Sequence, residues 1–250
     1  MDTIKIGVGT YIIREDAQKD LNHALGRLRA IGYEGAELLG FFGVKPSALA
    51  AMLESLDIAA LGDHVQISDF LQNPENIVND HAAIGCKRIT LACSKEQADN
   101  TPFDTLREQF SRAARLCLQA GIVPMYHNHD FDMLGDAPFA EQLLDAVPEL
   151  IFEPDVGWMV VAGKDPKAYL QKYKDRIHVI HLKDVFLSGE GFTFRPTGYG
   201  CVNTPALMPF ILACKPQWLM VDHDFAYDRD SYDDLALSYA YVKALVQIAG

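Results

Sequence analysis

Apolar and polar residues follow two rhythms along this chain, and the rhythms trade places repeatedly. Residues 5–12 form an apolar, β-prone run, and beyond Asp16 the residues Leu21, Leu25, Leu28 and Ile31 recur on one helical face. The pattern predicts a strand and then a helix. Gly32 can adopt the left-handed conformation that ends a helix, and 33–39 reads as a second strand. The same punctuation recurs at Gly85, before a strand at 86–92, and at Gly121, before one at 122–127. Further strands are predicted at 58–67, 150–156, 177–185 and 218–222, with helical patterns after each, including 165–174, 205–214 and 231–248. About eight alternating strand–helix units predict a parallel sheet, and a chain of 250 residues favours its closure into a (β/α)8 TIM barrel over an open doubly wound sheet. No linker, low-complexity tract or charge block interrupts the pattern, so residues 1–250 are expected to form a single domain. The longest irregular stretch, 186–203, follows the seventh strand and is expected to be an active-site loop.

Charge narrows the partners. Lys and Arg total 22 against 34 Asp and Glu, and the formal charge of -12 without a basic run opposes binding to nucleic acid or to an anionic membrane. Cys86, Cys93, Cys117, Cys201 and Cys214 are odd in number and carry no CxxC pair, which fits reduced thiols. Residues 1–5 lack the basic and apolar regions of a signal peptide, and no apolar run approaches the ~18 residues needed to span a bilayer. A cytoplasmic protein is expected. Pairing of exposed helices into a homo-oligomer stays open.

In such a barrel the strand C-termini share one mouth. The fifth strand ends in His127-Asn128-His129-Asp130, the sixth in Glu153-Pro154-Asp155, the seventh in His181-Leu182-Lys183-Asp184 and the eighth in Asp222-His223-Asp224. Residues i and i+2 of a strand share a face, so one member of each pair (His127 or His129, Glu153 or Asp155, His181 or Lys183, Asp222 or Asp224) is available as a ligand. A set such as His127, Asp155, His181 and Asp222 offers two imidazoles and two carboxylates, which suits one divalent ion of Mn, Zn, Co or Fe, with Mg also accommodated. A dication would also relieve the repulsion among so many acidic groups.

The stretches 32–38, 126–131, 155–158 (Asp155-Val156-Gly157-Trp158), 181–184 and 218–224 together resemble the motifs of the sugar phosphate isomerase/epimerase family, the xylose-isomerase-like barrels, over nearly the whole chain. The family holds its metal by a Glu on strand five, an Asp on strand six, a His on strand seven and a Glu on strand eight, which implies His127, Asp155, His181 and Asp222. Asp155 and His181 match in type, whereas His127 and Asp222 stand where many members have the two glutamates that also shuttle protons. The resemblance implies isomerisation or epimerisation of a small carbohydrate by abstraction of an α-proton, the ion stabilising the enediolate.

The base would come from Asp222 first, with His127, His129, Lys183 and Glu153 also at the mouth; Lys183 could instead steady an enediolate oxygen. His64, Glu37, Glu153, Trp158 and Arg195 are the candidates for contact with substrate, Trp158 through its apolar face and Arg195 through its guanidinium. Three other functions compete. A lyase or dehydratase on an inosose or 3-keto-sugar would use the same proton abstraction. An endonuclease IV-like nuclease is opposed by the acidic charge and by Trp158, which stands where a further histidine ligand is expected. A non-catalytic sugar-binding barrel would leave the mouth free of metal.

Overall fold

The computed structural model of the chain describes residues 4–227 and 229–249. The first three residues, on which part of the export reading rests, lie outside that range. The strands are β1 (Lys5–Gly9), β2 (Gly35–Leu38), β3 (Ala59–Gln66), β4 (Arg88–Ala92), β5 (Val123–His127), β6 (Ile151–Glu153), β7 (Val179–His181), β8 (Asp184–Ser188), β9 (Gly191–Arg195) and β10 (Trp218–Val221). Eight of them form one parallel sheet in the order β6-β5-β4-β3-β2-β1-β10-β7. Parallel bridges from Phe152 to Ile177 and from Asp155 to His181 complete the ring between β6 and β7. The result is a (β/α)8 barrel.

Helices α1 (Arg14–Lys19), α2 (Leu21–Ile31), α3 (Pro46–Leu56), α4 (Ile67–Gln72), α5 (Pro74–Ala83), α6 (Lys95–Asn100), α7 (Phe103–Gln119), α8 (Phe139–Ala146), α9 (Val156–Val161), α10 (Pro166–Lys172), α11 (Thr204–Ala213) and α12 (Ser231–Ala249) fill the connections. Their starts are written locally. Asp20 caps α2 by accepting from His23 N, Asp165 caps α10 ahead of Pro166, and Asn203 caps α11 ahead of Pro205. The predicted glycine stops hold, since Gly32, Gly85 and Gly121 all have positive φ. None of the described helices is long and apolar enough to cross a membrane. All five cysteines are free thiols, and only Cys201 is exposed.

Two departures from the predicted pattern bear on the mouth. The predicted strand 177–185 is not one strand: β7 ends at His181, and Asp184 opens a separate antiparallel hairpin of β8 and β9. Asp184 drives the exit, because its carboxylate accepts from the backbone N–H groups of Val185, Gly198, Gly200 and Val202 and so gathers the chain beyond the hairpin around it. Much of the predicted irregular loop is therefore ordered, and the β-prone segments Val185-Phe186-Leu187-Ser188 and Phe192-Thr193-Phe194 on either side of Gly189-Glu190-Gly191 were the signal for it.

The second departure is a register shift between β2 and β3, where Ala36 pairs with Ala60 but Glu37 pairs with Gly62. Leu61 is the extra residue. It joins Met125, Val179, Trp218 and Met220 in a cluster inside the barrel. A strict period of two from Leu61 would aim Asp63 inward and His64 outward; the bulge re-phases the strand. His64 consequently faces the interior, while Asp63 turns outward to accept from Gly40 N at 2.7 Å and to meet His81 Nε2 at 2.9 Å.

Candidate metal centre and active site

The ends of β2, β3, β5, β6, β7 and β10 converge on a cleft of about 360 Å³ whose lining includes Glu37, His64, His127, Lys183, Asp222 and Asp224. Glu153, Asp155 and His181 lie beneath it, none more than 1% exposed.

Asp155 is fixed by its neighbours. Its backbone N–H donates to Asn128 Oδ1 at 2.9 Å, Asn128 Nδ2 donates to its carbonyl at 3.2 Å, and its Oδ1 accepts from Trp158 N at 2.9 Å, the bond that caps α9. Its other oxygen, Oδ2, is buried without a hydrogen-bond partner. Gly157 permits this arrangement, since a Cβ there would stand 2.7 Å from the Lys183 carbonyl oxygen and 2.8 Å from the Lys183 Cβ.

Lys183 is the cation of the wall. Its Nζ lies 2.7 Å from Asp224, 3.0 Å from Asp222 and 3.6 Å from Asp155, and 4.5 Å from the centre of the Trp158 ring. His181 Nδ1 faces Asp222 Oδ2 at 3.1 Å. On the other side of the ring, His181 Nε2 lies 3.3 Å from Glu37 and 3.4 Å from Glu153, and His64 Nε2 lies 3.1 Å and 3.6 Å from the same two residues. Thr90 Oγ1 donates to Glu153 Oε2 at 2.8 Å. The His127 ring centre is 4.5 Å from that of His181, and its Nε2 is 3.9 Å from Asp155 Oδ2.

Among the described residues two donor groups follow, each with ligand atoms within 4.8 Å of one another: His127, Asp155, His181 and Asp222, and His64, His127, Glu153 and His181. Five carboxylates against one lysine make the mouth electron-rich, and the ionisations respond. Burial opposes charge on His64 and His181, but Glu37 and Glu153 raise His64 to about 10 and hold His181 well above its ordinary value. Burial, reinforced by neighbouring imidazoles, keeps His127 well below the usual histidine range, and burial with Lys183 lowers His129 to about 3. Burial, with Asp222 adding to it against Lys183, pushes Asp155 up to about 7. Burial works against Asp222 as well, yet Lys183 and His181 keep it well below the usual carboxylate range. Burial lifts Asp224 above that range despite Lys183. Neutral imidazoles and anionic oxygens without hydrogen-bond partners are the forms that bind cations.

Residues 25–231 match the family model described as xylose isomerase-like TIM barrel. The chain belongs to that family. Among relatives of this xylose isomerase-like barrel, inosose dehydratase from Geobacillus kaustophilus (strain HTA426) is 23% identical over 191 residues, covering 66% of this chain and 62% of the relative, under two thirds of its length. A sugar phosphate isomerase/epimerase from Parabacteroides distasonis ATCC 8503 superposes with a TM-score of 0.81 at 20% identity, over 98% of this chain and 95% of that one. A xylose isomerase-like TIM barrel protein from Mycobacterium smegmatis in complex with magnesium superposes with a TM-score of 0.72 at 15% identity, over 99% and 98% of the two chains. At these identities the structural likeness concerns the fold.

Of the residues singled out in the sequence, the barrel brings together Glu37, His64, His127, His129, Glu153, Asp155, Trp158, His181, Lys183 and Asp222. Arg195 does not join them. Phe192 and Phe194 point from β9 at Trp158, so the alternation turns Arg195 the other way, into a separate cavity with Tyr199, Tyr227 and Arg229. Trp158 is present but in a different capacity from the one expected: Phe192, Phe194 and Lys183 crowd its ring, whereas its indole Nε1 is buried without a partner. Thr90, Asn128 and the pairing of Asp224 with Lys183 were missed, because each acts by touching a strand distant in sequence.

Proposed function

We propose that this chain is a divalent-metal-dependent isomerase or epimerase of a sugar or sugar derivative that removes a proton from the carbon next to a carbonyl. One observation carries the reading: histidines and carboxylates from several strand ends meet beneath a cleft, and His127 Nδ1, Asp155 Oδ2, His181 Nε2 and Glu153 Oε1 are buried there without hydrogen-bond partners. Such atoms are costly unless something pairs with them, and a dication would. The residues therefore fit one ion, seated against His127 and His181, which both donor groups share; the family likeness points to Asp155 and Asp222 as its carboxylates.

When bound, the ion supplies electrostatic stabilisation to the negative charge that develops on the substrate oxygens. The chain does the rest. Asp222 lines the cleft, and the Lys183 and His181 contacts keep it ionised, so it takes the α-proton. Lys183 remains protonated among three carboxylates and donates to a substrate oxygen. Asp222, once protonated, returns the proton to the neighbouring carbon, and His129, held neutral at the rim, Trp158 Nε1 and Glu37 orient hydroxyls.

A second reading, a lyase or dehydratase, is favoured by the inosose dehydratase relative and by Asp224, whose raised carboxyl beside Lys183 can protonate a leaving hydroxyl. The test is elemental analysis of protein purified without chelator, for the parent, Asp155→Ala and His181→Ala, followed by α-proton exchange in heavy water with ketoses and inososes. About one equivalent of metal in the parent and exchange without net loss of water supports isomerisation; exchange with loss of water supports the lyase. No retained metal, together with no thermal stabilisation by added divalent ions, sinks both.

A further inference from the structure

Arg195 takes no part in the proposed reaction, yet the cavity into which it turns measures about 350 Å³, close to the 360 Å³ of the cleft and within the range of small-molecule sites. β9 with the turn after it, the loop after β10 and the first turn of α12 line this cavity. Its charge runs against that of the chain. Two guanidiniums, those of Arg195 and Arg229, share the lining with one carboxylate, that of Asp234, in a protein of formal charge -12.

The carboxylate is already engaged. Asp234 Oδ2 lies 3.2 Å from His223 Nε2 and Oδ1 lies 3.5 Å from Arg229 Nη1, so Asp234 holds Arg229 at the cavity. Asp230 is turned away to Arg27, at 3.2 Å. Arg195 has no such counterion: among the described residues its guanidinium forms no ion pair, and Nη1 donates only to the carbonyl of its neighbour Phe194, at 2.9 Å. Most of its N–H donors are left for a ligand. The Tyr227 hydroxyl accepts from Phe194 N at 3.2 Å, which ties the loop after β10 to β9 and leaves the hydroxyl hydrogen to donate.

We propose that this cavity is a second binding site, distinct from the cleft, for a phosphate group held by Arg195 and Arg229 with the Tyr227 hydroxyl. Planar guanidinium forks match the paired oxygens of a phosphate, and two of them suit a dianion better than a single carboxylate. The group arrives either as free inorganic phosphate or as the phosphate end of a sugar. The two sites stand back to back, because Phe194 lines the cavity while its ring lies 5.5 Å from the Trp158 ring and 5.5 Å from Lys183 Nζ. A ligand that draws on Arg195 therefore acts on the next residue of β9, and its binding is felt at Trp158. The inference goes beyond the reaction proposed above and does not depend on it.

The test is calorimetric titration of chelator-treated, full-length protein with inorganic phosphate at constant ionic strength, with tryptophan fluorescence recorded alongside. The parent is expected to bind about one equivalent with a change in emission. Arg195→Gln and Arg229→Gln are each expected to weaken binding roughly tenfold or more, through loss of charge-assisted hydrogen bonds, and to abolish the change in emission at the phosphate concentration that saturates the parent. Far-ultraviolet circular dichroism checks each fold; Arg229 is exposed, so its variant decides if Arg195→Gln unfolds. A ketose phosphate, compared with the same ketose and with inorganic phosphate, separates the two sources. Tighter binding of the ketose phosphate than of phosphate, weakened by the same two substitutions, assigns the site to a phosphorylated sugar, whereas equal affinity assigns it to the free anion. A parent that binds no phosphate at tens of millimolar, or binding that the folded variants retain, overturns the proposal and leaves the reaction in the cleft untouched.

Discussion

Replacing Gly157 with alanine tests how tightly the site is built. The added Cβ would lie 2.7, 2.8 and 2.9 Å from the carbonyl oxygen, Cβ and carbonyl carbon of Lys183, where ordinary contact begins at 3.4 Å. Two of those atoms are backbone at the point where β7 ends, so no side-chain rotation relieves the overlap, and α9 must move away by several tenths of an ångström. Overpacking of this kind costs about 1–3 kcal/mol. At roughly 2–4 °C per kcal/mol for a chain of this size, the melting temperature should fall by about 2–12 °C. Because α9 is capped by Asp155 and carries Trp158, near-ultraviolet circular dichroism should change with it. Gly26 provides the control of opposite sign. It sits inside α2, where a Cβ would meet only Leu56 Cδ2 at 3.8 Å, so Gly26→Ala should stabilise by about 0.5–1 kcal/mol through helix propensity alone. Scanning calorimetry on the two variants decides the matter, and a Gly157→Ala melting temperature equal to or above that of the parent would refute the reasoning.

Other expectations follow from the same contacts. Lys183→Met leaves Asp155, Asp222 and Asp224 without their cation and should cost about 3–5 kcal/mol in urea unfolding; a loss below 1 kcal/mol would mean that water or protons already compensate them. Burial lifts the Asp132 carboxyl from 3.8 to about 8, so the folded chain holds a proton that the unfolded chain releases, and this contribution to stability is full below about pH 4 and lost as pH rises through about 8. Asp132→Asn should therefore flatten part of the decline in unfolding free energy between pH 5 and pH 8, and an unchanged slope would contradict it. Asp63→Ala strips a buried acceptor from Gly40 N and His81 Nε2 and should cost about 1–3 kcal/mol by thermal melting, with a neutral result showing that water replaces it.

The barrel was legible in the chain because its signals are local. Gly32, Gly85 and Gly121 mark helix ends through their own φ angles, and the polar residues at the strand ends declare the mouth. What escaped depends on partners far away in sequence. The run 177–185 keeps β-prone apolar residues on both sides of Lys183-Asp184, and nothing within it shows that Asp184 will collect four N–H groups, three of them from 198–202, and pull the chain out of the sheet. Period-two reasoning fixed the pairs His127 with His129 and Asp222 with Asp224, yet it could not show the contacts that cross the mouth, such as those of Asp222 with Lys183 and His181. The bulge that turns His64 inward is visible only once β2 is laid against β3. Arg195 was misplaced for the complementary reason: once β9 is a strand, its alternation with Phe194 takes the guanidinium out of the cleft.

The hairpin of β8 and β9 separates two jobs that many binding sites leave entangled. Its Phe192 and Phe194 pack against Trp158, which lines the cleft, while Asp184 clamps its base where it leaves the barrel. As strands, β8 and β9 pair with each other in a sheet separate from the barrel. On the function proposed above, substrate range would change first through this appendage while the strand ends beneath it stay constant, and a laboratory seeking new sugars for this scaffold would begin by grafting hairpins.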